Sequence, residues 1–225
     1  LWGQVSVGLL LTLAIYYGGT GSAVTTLQIP FFKNLIIPLG WTFIPLMVFY
    51  ITGISNAVNL TDGLDGLSAG VMIFSAVGLG IMSYLKGNFN SAAYLHLDFI
   101  PTAGELTVFI AGLIGTLIGF LWFNSHPAEV FMGDTGSLTL GGILAVISIL
   151  LKEQIYFVII GFLFISETLS VIIQRTWFKH TKRRYGEGRR LFLCAPIHHH
   201  FEKKGLLECK LVTPLFIVAT LLLPS

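Results

Sequence analysis

The sequence predicts an all-α membrane protein, a polytopic bundle of transmembrane helices with about six full spans and a truncated last span. Hydrophobic residues make up 54% of the 225 residues and charged residues only 11%, whereas soluble domains carry roughly 25% charge. The apolar residues form long runs, several of them close to the ~20 residues that a helix needs to cross a bilayer. These runs lack strand alternation, and only helices satisfy their own backbone hydrogen bonds in lipid.

The predicted spans are separated by short polar breaks. They cover residues 4–17, 41–55, 67–85, 105–123, 137–151 and 155–178, and a partial seventh covers 211–223. Pro30 and Pro38 bracket the link before the second span, and Lys86 closes the third. We expect residues 1–225 to form a single transmembrane domain. Because the chain starts and stops inside apolar runs, we also expect it to be a fragment of a longer protein.

The charges predict which loops lie in the cytoplasm. Alternating spans put three loops on one side of the membrane (18–40, 86–104 and 152–154) and three on the other (56–66, 124–136 and 179–210). Ten of the thirteen Lys and Arg residues lie on the second side, the exceptions being Lys33, Lys86 and Lys152. The positive-inside rule makes that second side cytoplasmic. Topology alone explains the basic loop 179–210, and attraction to anionic lipid head groups is a second role for it.

The first polar motif places Asn56, Asn59, Asp62 and Asp65 three residues apart. Residues at this spacing are neighbours on one helical turn. Carboxylates beside amides, with no Lys or Arg among them, favour a hard cation such as Mg²⁺. The alternative is that Asp65 or Ser68 only caps the following helix. Since the third and fifth spans begin on the cytoplasmic side, their free N–H groups suit a phosphate-bearing substrate.

The second motif is the loop from Phe123 to Ser137, which crowds polar side chains between two apolar spans. Asp134 is a candidate ligand or an N-cap, with Ser137 as the rival cap. Phe131 is able to stack on a base or ring, although an aromatic anchor at the membrane interface is the commoner role. His126 and Glu129 are acid, base or plain surface groups.

The third motif, Ala195 to Glu202, contains His198, His199 and His200. A histidine run suggests a metal, but consecutive helical residues point about 100° apart and cannot easily share one ion. Phosphate binding or acid–base work by one or two of them is the better interpretation. The cysteines of the same basic loop, Cys194 and Cys209, have no metal-ligand spacing and are expected to be free thiols in the cytoplasm.

Glu167 is an ionisable residue inside the sixth predicted span. Such a residue is costly in lipid and is a functional candidate by default. A structural partner for neighbouring hydroxyl groups, or a break in the helix, is the alternative. The net charge of +2 is too small to indicate a nucleic-acid partner.

Residues 59–67, 131–137 and 195–202 together resemble the polyprenyl-phosphate hexose-1-phosphate transferases, and the triple histidine resembles the phospho-N-acetylmuramoyl-pentapeptide-transferase branch. The resemblance implies transfer of phospho-MurNAc-pentapeptide from UDP-MurNAc-pentapeptide to undecaprenyl phosphate, giving lipid I and UMP with Mg²⁺. It implies a multi-pass protein of the bacterial inner membrane with a cytoplasmic catalytic site. Homodimers occur in this family, and the residues show no dimer face.

The resemblance also implies roles for single residues. Asp134 would bind Mg²⁺, Asp62 would lie near the metal and the pyrophosphate, and His198 would contribute to catalysis. The implied substrate-binding residues are Phe131 on uracil, Asn59, Asp65 and Asn124 on the nucleoside side, and His199 and His200 at the pyrophosphate and sugar end. The long sixth span resembles the family's broken helix, which borders a groove for the polyprenyl chain of a membrane lipid.

The sequence departs from the family pattern in one respect and leaves rival functions open. The family carries an adjacent Asp pair and a Lys ahead of the first span seen here, and this chain has no Asp-Asp. The chain is therefore expected to lack N-terminal helices or to be inactive as given. The rivals are a polyprenyl-phosphate GlcNAc-1-phosphate transferase, disfavoured by the triple histidine, a transporter with a site at Glu167, and a non-catalytic membrane subunit.

Overall fold

The structure is a computed structural model that describes residues 1–18, 25–30 and 36–223. This part of the chain folds into helices joined by short connections. The helices are α1 (Trp2–Gly18), α2 (Phe43–Thr61), α3 (Leu67–Gly87), α4 (Phe89–Leu95), α5 (Ala103–Asn124), α6 (Gly133–Leu150), α7 (Gln154–Ile160), α8 (Phe162–Tyr185), α9 (Ile197–Lys203) and α10 (Glu208–Leu221). One antiparallel pair of three-residue strands, β1 (Thr26–Gln28) and β2 (Ile36–Pro38), precedes α2. The predicted all-α class is confirmed, while Lys33 and the side chain of Cys209 lie outside the described part.

Four of the described helices, α2, α3, α5 and α6, are long and apolar enough to cross a membrane. Helices α7 and α8 form a fifth span if they are taken together, although they bend by 81° at Gly161. A side chain at Gly161 would meet the carbonyl oxygen of Phe157 at 2.9 Å, so the bend leaves room only for glycine. The polytopic bundle is confirmed, but four or five described spans are fewer than the six predicted. The difference arises because the first predicted span is the 17-residue α1 and the sixth is broken at Gly161.

Several helices extend beyond the apolar runs that predicted them. Helix α2 continues to Thr61 and so contains Asn56 and Asn59, and α6 begins at Gly133 rather than Ser137. Helix α8 continues to Tyr185, and α4 and α9 occupy segments that were predicted as loops. The reason is physical: hydropathy reports contact with lipid, whereas a helix also continues through polar residues whose side chains find hydrogen-bond partners. Thr61 and Ser137 are buried and donate to the carbonyl oxygens of Ala57 and Gly133, one turn back.

The helices pack in pairs around a common apolar core. Helix α2 packs on α6, α3 packs on α5, and both α1 and α8 pack on α2. Helices α2 and α6 approach closely at Gly141, where an added Cβ would lie 2.9 Å from the Cβ of Val58. The Ser55 hydroxyl donates to the carbonyl oxygen of Leu138 across the same contact, at 2.7 Å. The largest buried core residues include Phe43, Met47, Leu67, Met72, Leu79, Leu144, Phe157 and Phe164.

A buried ion pair holds one end of the bundle together. The Nζ atom of Lys86 lies 2.6 Å from Oε1 of Glu153 and donates to the carbonyl oxygen of Leu151 at 2.9 Å. Lys86 lies in the last turn of α3, so it ends the third span as predicted, but its side chain is only 1% exposed. Asp98 and Lys152 lie 3.6 Å apart nearby. Loops 86–104 and 152–154 therefore meet at one end, as the predicted topology requires.

Candidate active site

The three polar motifs meet at the opposite end of the bundle. Asp65 accepts a hydrogen bond from the backbone N–H of Ala128 at 3.1 Å, which joins the first motif to the second. An added Cβ at Gly63 would lie 2.5 Å from Nε2 of His198, so the third motif lies directly against the first. The prediction that loops 56–66, 124–136 and 179–210 share one side is confirmed by these contacts. That this side is cytoplasmic stays a prediction.

Asn59 connects α2 to the first turn of α6. Its Nδ2 atom lies 2.9 Å from Oδ1 of Asp134 and 2.9 Å from Oγ of Ser137. A side-chain amide has two N–H donors, so these two contacts engage both. The Ser137 hydroxyl donates to the carbonyl oxygen of Gly133 at 2.9 Å. Asn59 thus fixes the carboxylate of Asp134 at an exposed position at the start of α6.

Asp62 lies within electrostatic reach of Asp134. Partial burial raises the pKa of the Asp62 carboxyl above its usual range, the negative charge of Asp134 raises it further, and a hydrogen bond from the backbone N–H of Gly133 lowers it. None of the described ion pairs brings a Lys or Arg to either carboxylate. Two neighbouring carboxylates without a counter-charge attract a cation.

Asp62 and Asp134 fit a Mg²⁺ site only if further ligands complete the coordination of the ion. Among the described residues, no group of three or more His, Cys, Asp or Glu side chains could hold a metal ion. Mg²⁺ is, however, commonly held by one or two carboxylates while water and substrate phosphates complete its octahedron. The electrostatics of Asp62 and Asp134 suit such a site, and the assignment of Asp134 as the Mg²⁺ ligand stays a prediction.

The helix-capping alternatives for the motif residues are wrong. The N-caps of α3 and α6 are Gly66 and Met132, and neither forms a side-chain capping bond. Asp65 instead contacts Ala128 N–H and the Nδ1 atom of His126, the latter at 3.0 Å. Asp134 is the second residue of α6, and its carboxylate faces Asn59.

His198 forms a buried pair with Glu167. Its Nδ1 atom lies 3.1 Å from Oε2 of Glu167, and its backbone N–H donates to the same oxygen at 3.4 Å. The two residues are 1% and 2% exposed. The Nδ1 contact has the distance of an ion pair without the alignment of a hydrogen bond. The interpretation of Glu167 as a partner for neighbouring hydroxyl groups is wrong, because its carboxylate contacts His198, and the helix breaks at Gly161 and not at Glu167. A functional role for Glu167 stays a prediction.

His199 and His200 make different contacts from His198. Nδ1 of His199 lies 2.8 Å from Oε2 of Glu202, one helical turn away. Nδ1 of His200 accepts the backbone N–H of Leu193 at 3.1 Å. The three histidines therefore make separate polar contacts, although the rings of His198 and His199 lie 4.2 Å apart between their centroids. Of the three, it is His198 that lies against Gly63. Contacts of His199 and His200 with substrate stay predictions.

Asn124 and Phe131 differ in what they offer a ligand. The Asn124 amide accepts the backbone N–H of Gly66 at 3.2 Å and donates to the carbonyl oxygen of Val130 at 2.8 Å. Asn124 is buried and ties the end of α5 to the start of α3. Phe131 is 72% exposed beside the α6 start, which leaves its ring free to stack. Contact of either residue with a nucleoside stays a prediction.

Sequence reasoning missed the structural partners of these residues. Ser137 was considered only as a cap, yet it lies at one of the two contacts of Asn59. Gly63 of the first motif was expected to let the backbone approach a ligand closely, and in the structure it approaches the His198 ring.

Comparison with known proteins places this geometry in a family. The profile of glycosyl transferase family 4 matches residues 2–152, two-thirds of the chain. The chain belongs to this family. The matched region contains α1 to α6 and hence Asn59, Asp62 and Asp134. The family membership that the motifs predicted is thereby confirmed.

Individual relatives extend the similarity to almost the whole chain. The chain is 51% identical over 222 residues to the phospho-N-acetylmuramoyl-pentapeptide-transferase of Chlorobium phaeobacteroides, and the match covers 98% of this chain and 60% of that protein. The proteins of the same name from Chloroherpeton thalassium and Rickettsia rickettsii are 50% and 53% identical, over 98% and 87% of this chain and 60% and 53% of their own lengths. The chain therefore spans between half and two-thirds of these relatives.

Proposed function

We propose that the full-length protein transfers phospho-MurNAc-pentapeptide from UDP-MurNAc-pentapeptide to undecaprenyl phosphate, producing lipid I and UMP at the cytoplasmic face of a bacterial inner membrane. The observation that carries this proposal is the convergence of Asp62, Asp134 and His198 at one end of an apolar helical bundle. Such a place is accessible to a water-soluble nucleotide sugar and to a lipid phosphate. The names of the relatives, at about half identity, support transfer of the same group, phospho-N-acetylmuramoyl-pentapeptide.

The net reaction exchanges one phosphorus–oxygen bond for another. An oxygen of the lipid phosphate bonds to the phosphorus that carries the sugar, the bond from that phosphorus to the UMP oxygen breaks, and UMP leaves. Little covalent chemistry is required of the protein, because positioning and charge stabilisation supply most of the rate in phosphoryl transfer. When bound, Mg²⁺ would neutralise negative charge on the pyrophosphate.

The residues of the chain would prepare this site before substrate arrives. Asp134 would hold Mg²⁺, and the amide of Asn59 would keep that carboxylate in one orientation. Asp62 would place a second carboxylate beside it, with the Gly133 N–H as its fixed donor. His198, held from behind by Glu167, would fix the Gly63 turn next to Asp62.

Two further surfaces would receive the ends of the substrates. Phe131, on the exposed side of the site, would stack on the uracil ring. Helix α8 presents Leu169, Ile172 and Ile173 at its surface after the 81° bend, and this face would border the polyprenyl chain. The donor would thus bind from the water side and the acceptor from the lipid side.

The direct test measures UMP release by the full-length protein in detergent with undecaprenyl phosphate and Mg²⁺. UDP-MurNAc-pentapeptide and UDP-GlcNAc are offered separately, and the 225-residue chain is measured in parallel. We expect UMP only from the muramoyl donor and none from the 225-residue chain. Release from UDP-GlcNAc would assign the protein to the sister transferases, and no release from either donor would contradict the proposal.

A further inference from the structure

A basic pocket lies beside α8, on the segment that follows the span. It has a volume of about 550 Å³ and is enclosed by α8, the segment 190–195 and one residue of α9. We define the basic pocket by its four cationic side chains, Arg175, Lys179, Arg190 and Lys203. The site that contains Asp62 and Asp134 uses none of these four residues.

Hydrogen bonds hold the wall of the basic pocket against α8. Oε1 of Gln174 accepts the backbone N–H groups of Leu191 and Phe192 at 3.0 and 2.9 Å, and Nε2 of Gln174 donates to the Phe192 carbonyl at 3.0 Å. About two turns further along α8, the buried hydroxyl of Thr181 accepts the backbone N–H of Arg189 at 2.9 Å. The pocket is therefore formed by fixed backbone and not by a loose basic loop.

The described residues bring no counter-charge to the cations of the basic pocket. The described residues that line it include no Asp or Glu. None of its four cations takes part in the described ion pairs, whereas the neighbouring Arg184 and Arg189 stack on Tyr185. Like charges that share a cavity repel one another, and a bound phosphate would relieve that repulsion. Arginine also binds phosphate oxygens in a bidentate manner.

The surroundings of the pocket indicate that its anion is carried by a lipid. Leu169, Ile172 and Ile173, on the α8 turns just before Arg175, are 46%, 54% and 45% exposed and suit contact with acyl or prenyl chains. The pocket walls add the apolar side chains Val171, Phe178 and Leu193. Apolar contact on one side and cations on the other are typical of sites for anionic lipid head groups.

We propose that the basic pocket binds the anionic head group of a membrane phospholipid. A polyprenyl phosphate shares this chemistry, but it is the acceptor of the proposed function, and the experiment separates the two. Because Lys203 lies on α9 together with His198, the bound lipid ties α9 to α8. Binding requires no nucleotide sugar, so this proposal is tested independently of the proposed transferase activity.

The experiment compares two triple variants of the full-length protein by native mass spectrometry. The pocket variant carries Arg175→Gln, Lys179→Gln and Arg190→Gln, and the matched control carries Lys182→Gln, Arg183→Gln and Arg184→Gln from the last turn of α8. Both variants lose three positive charges, but only the first loses pocket residues. The probes are phosphatidylglycerol, undecaprenyl phosphate, phosphatidylcholine and inorganic phosphate.

We expect the pocket variant to bind an anionic lipid at least about tenfold more weakly than the control, since each basic residue contributes about fivefold to such binding. Loss for phosphatidylglycerol supports the phospholipid site, whereas loss for undecaprenyl phosphate alone would show a site for the acceptor and would overturn the proposal. Equal loss in both variants, equal binding of phosphatidylcholine, or equally strong competition by inorganic phosphate would overturn the proposal. If the triple variant unfolds, Arg175→Gln and Lys179→Gln are measured singly, and each should weaken binding about fivefold.

Discussion

The contact between Gly63 and His198 makes Gly63→Ala a sharp test of the site. An alanine Cβ at this position would lie 2.5 Å from Nε2 of His198, whereas ordinary contacts begin at 3.4 Å. The imidazole must therefore retreat by about 0.9 Å. It has little room to do so, because it is 1% exposed and Glu167 lies behind it at 3.1 Å. The turn that carries Asp62 must move in its place, and a displacement of about 1 Å at a reacting centre costs about 100-fold in rate.

The assay is kcat for UMP release by the full-length protein, with Gly53→Ala as the matched control. Gly53 lies within α2, and an added Cβ there meets nothing within 4 Å. We expect Gly63→Ala to lower kcat about 100-fold and Gly53→Ala to leave it unchanged, while both proteins keep the parent melting temperature. In a His198→Ala background, Gly63→Ala should have little additional effect. Parent activity in Gly63→Ala, or an undiminished effect in the His198→Ala background, would refute the reasoning.

Three further substitutions test other parts of the structure. Asp134→Asn should lower turnover at least about 100-fold, because a metal site supplies several kcal/mol of charge stabilisation; near-normal turnover at an unchanged melting temperature would remove Asp134 as the metal ligand. Glu167→Gln should lower kcat about 10- to 100-fold at constant KM and change the ¹⁵N NMR signature of His198, whereas an unchanged tautomer would leave Glu167 a purely structural role. Lys86→Met should lower the free energy of unfolding by about 3–5 kcal/mol, because it leaves Glu153 buried and unpaired. The double variant with Glu153→Leu should recover most of that loss in thermal unfolding, and no recovery would show that the pair is not the cause.

The helical bundle was predictable because apolar runs in lipid have few alternatives to helix. The positions of the helix ends could not be predicted in the same way. Asn59 and Asp134 were placed in loops, yet each lies within a helical turn, since a helix continues for a turn or more beyond the hydrocarbon. This difference affects the site, because helical geometry is what brings the Asn59 amide to the Asp134 carboxylate across 75 residues of sequence.

The motifs predicted which residues gather at one end but not how they pair. Glu167 and His198 are 31 residues apart. The residues around each of them do not indicate that the two side chains form a pair. The partner of Lys86 was equally unpredictable. It is Glu153, which lies 67 residues later in the sequence and pairs with Lys86 at the opposite end of the bundle. Burial of a charged residue depends on a partner from another helix, so only the packing of the helices reveals it.

The proposed function requires that the three motifs build one site that joins a soluble nucleotide sugar to a lipid phosphate. The most direct measurement is the stoichiometry of the two products, made by quantifying UMP and the lipid-linked phospho-MurNAc-pentapeptide in a single reaction of the full-length protein. We predict one UMP for each lipid product, and loss of both when Mg²⁺ is chelated. Release of UMP without a lipid product, or equal yields after chelation, would contradict the account.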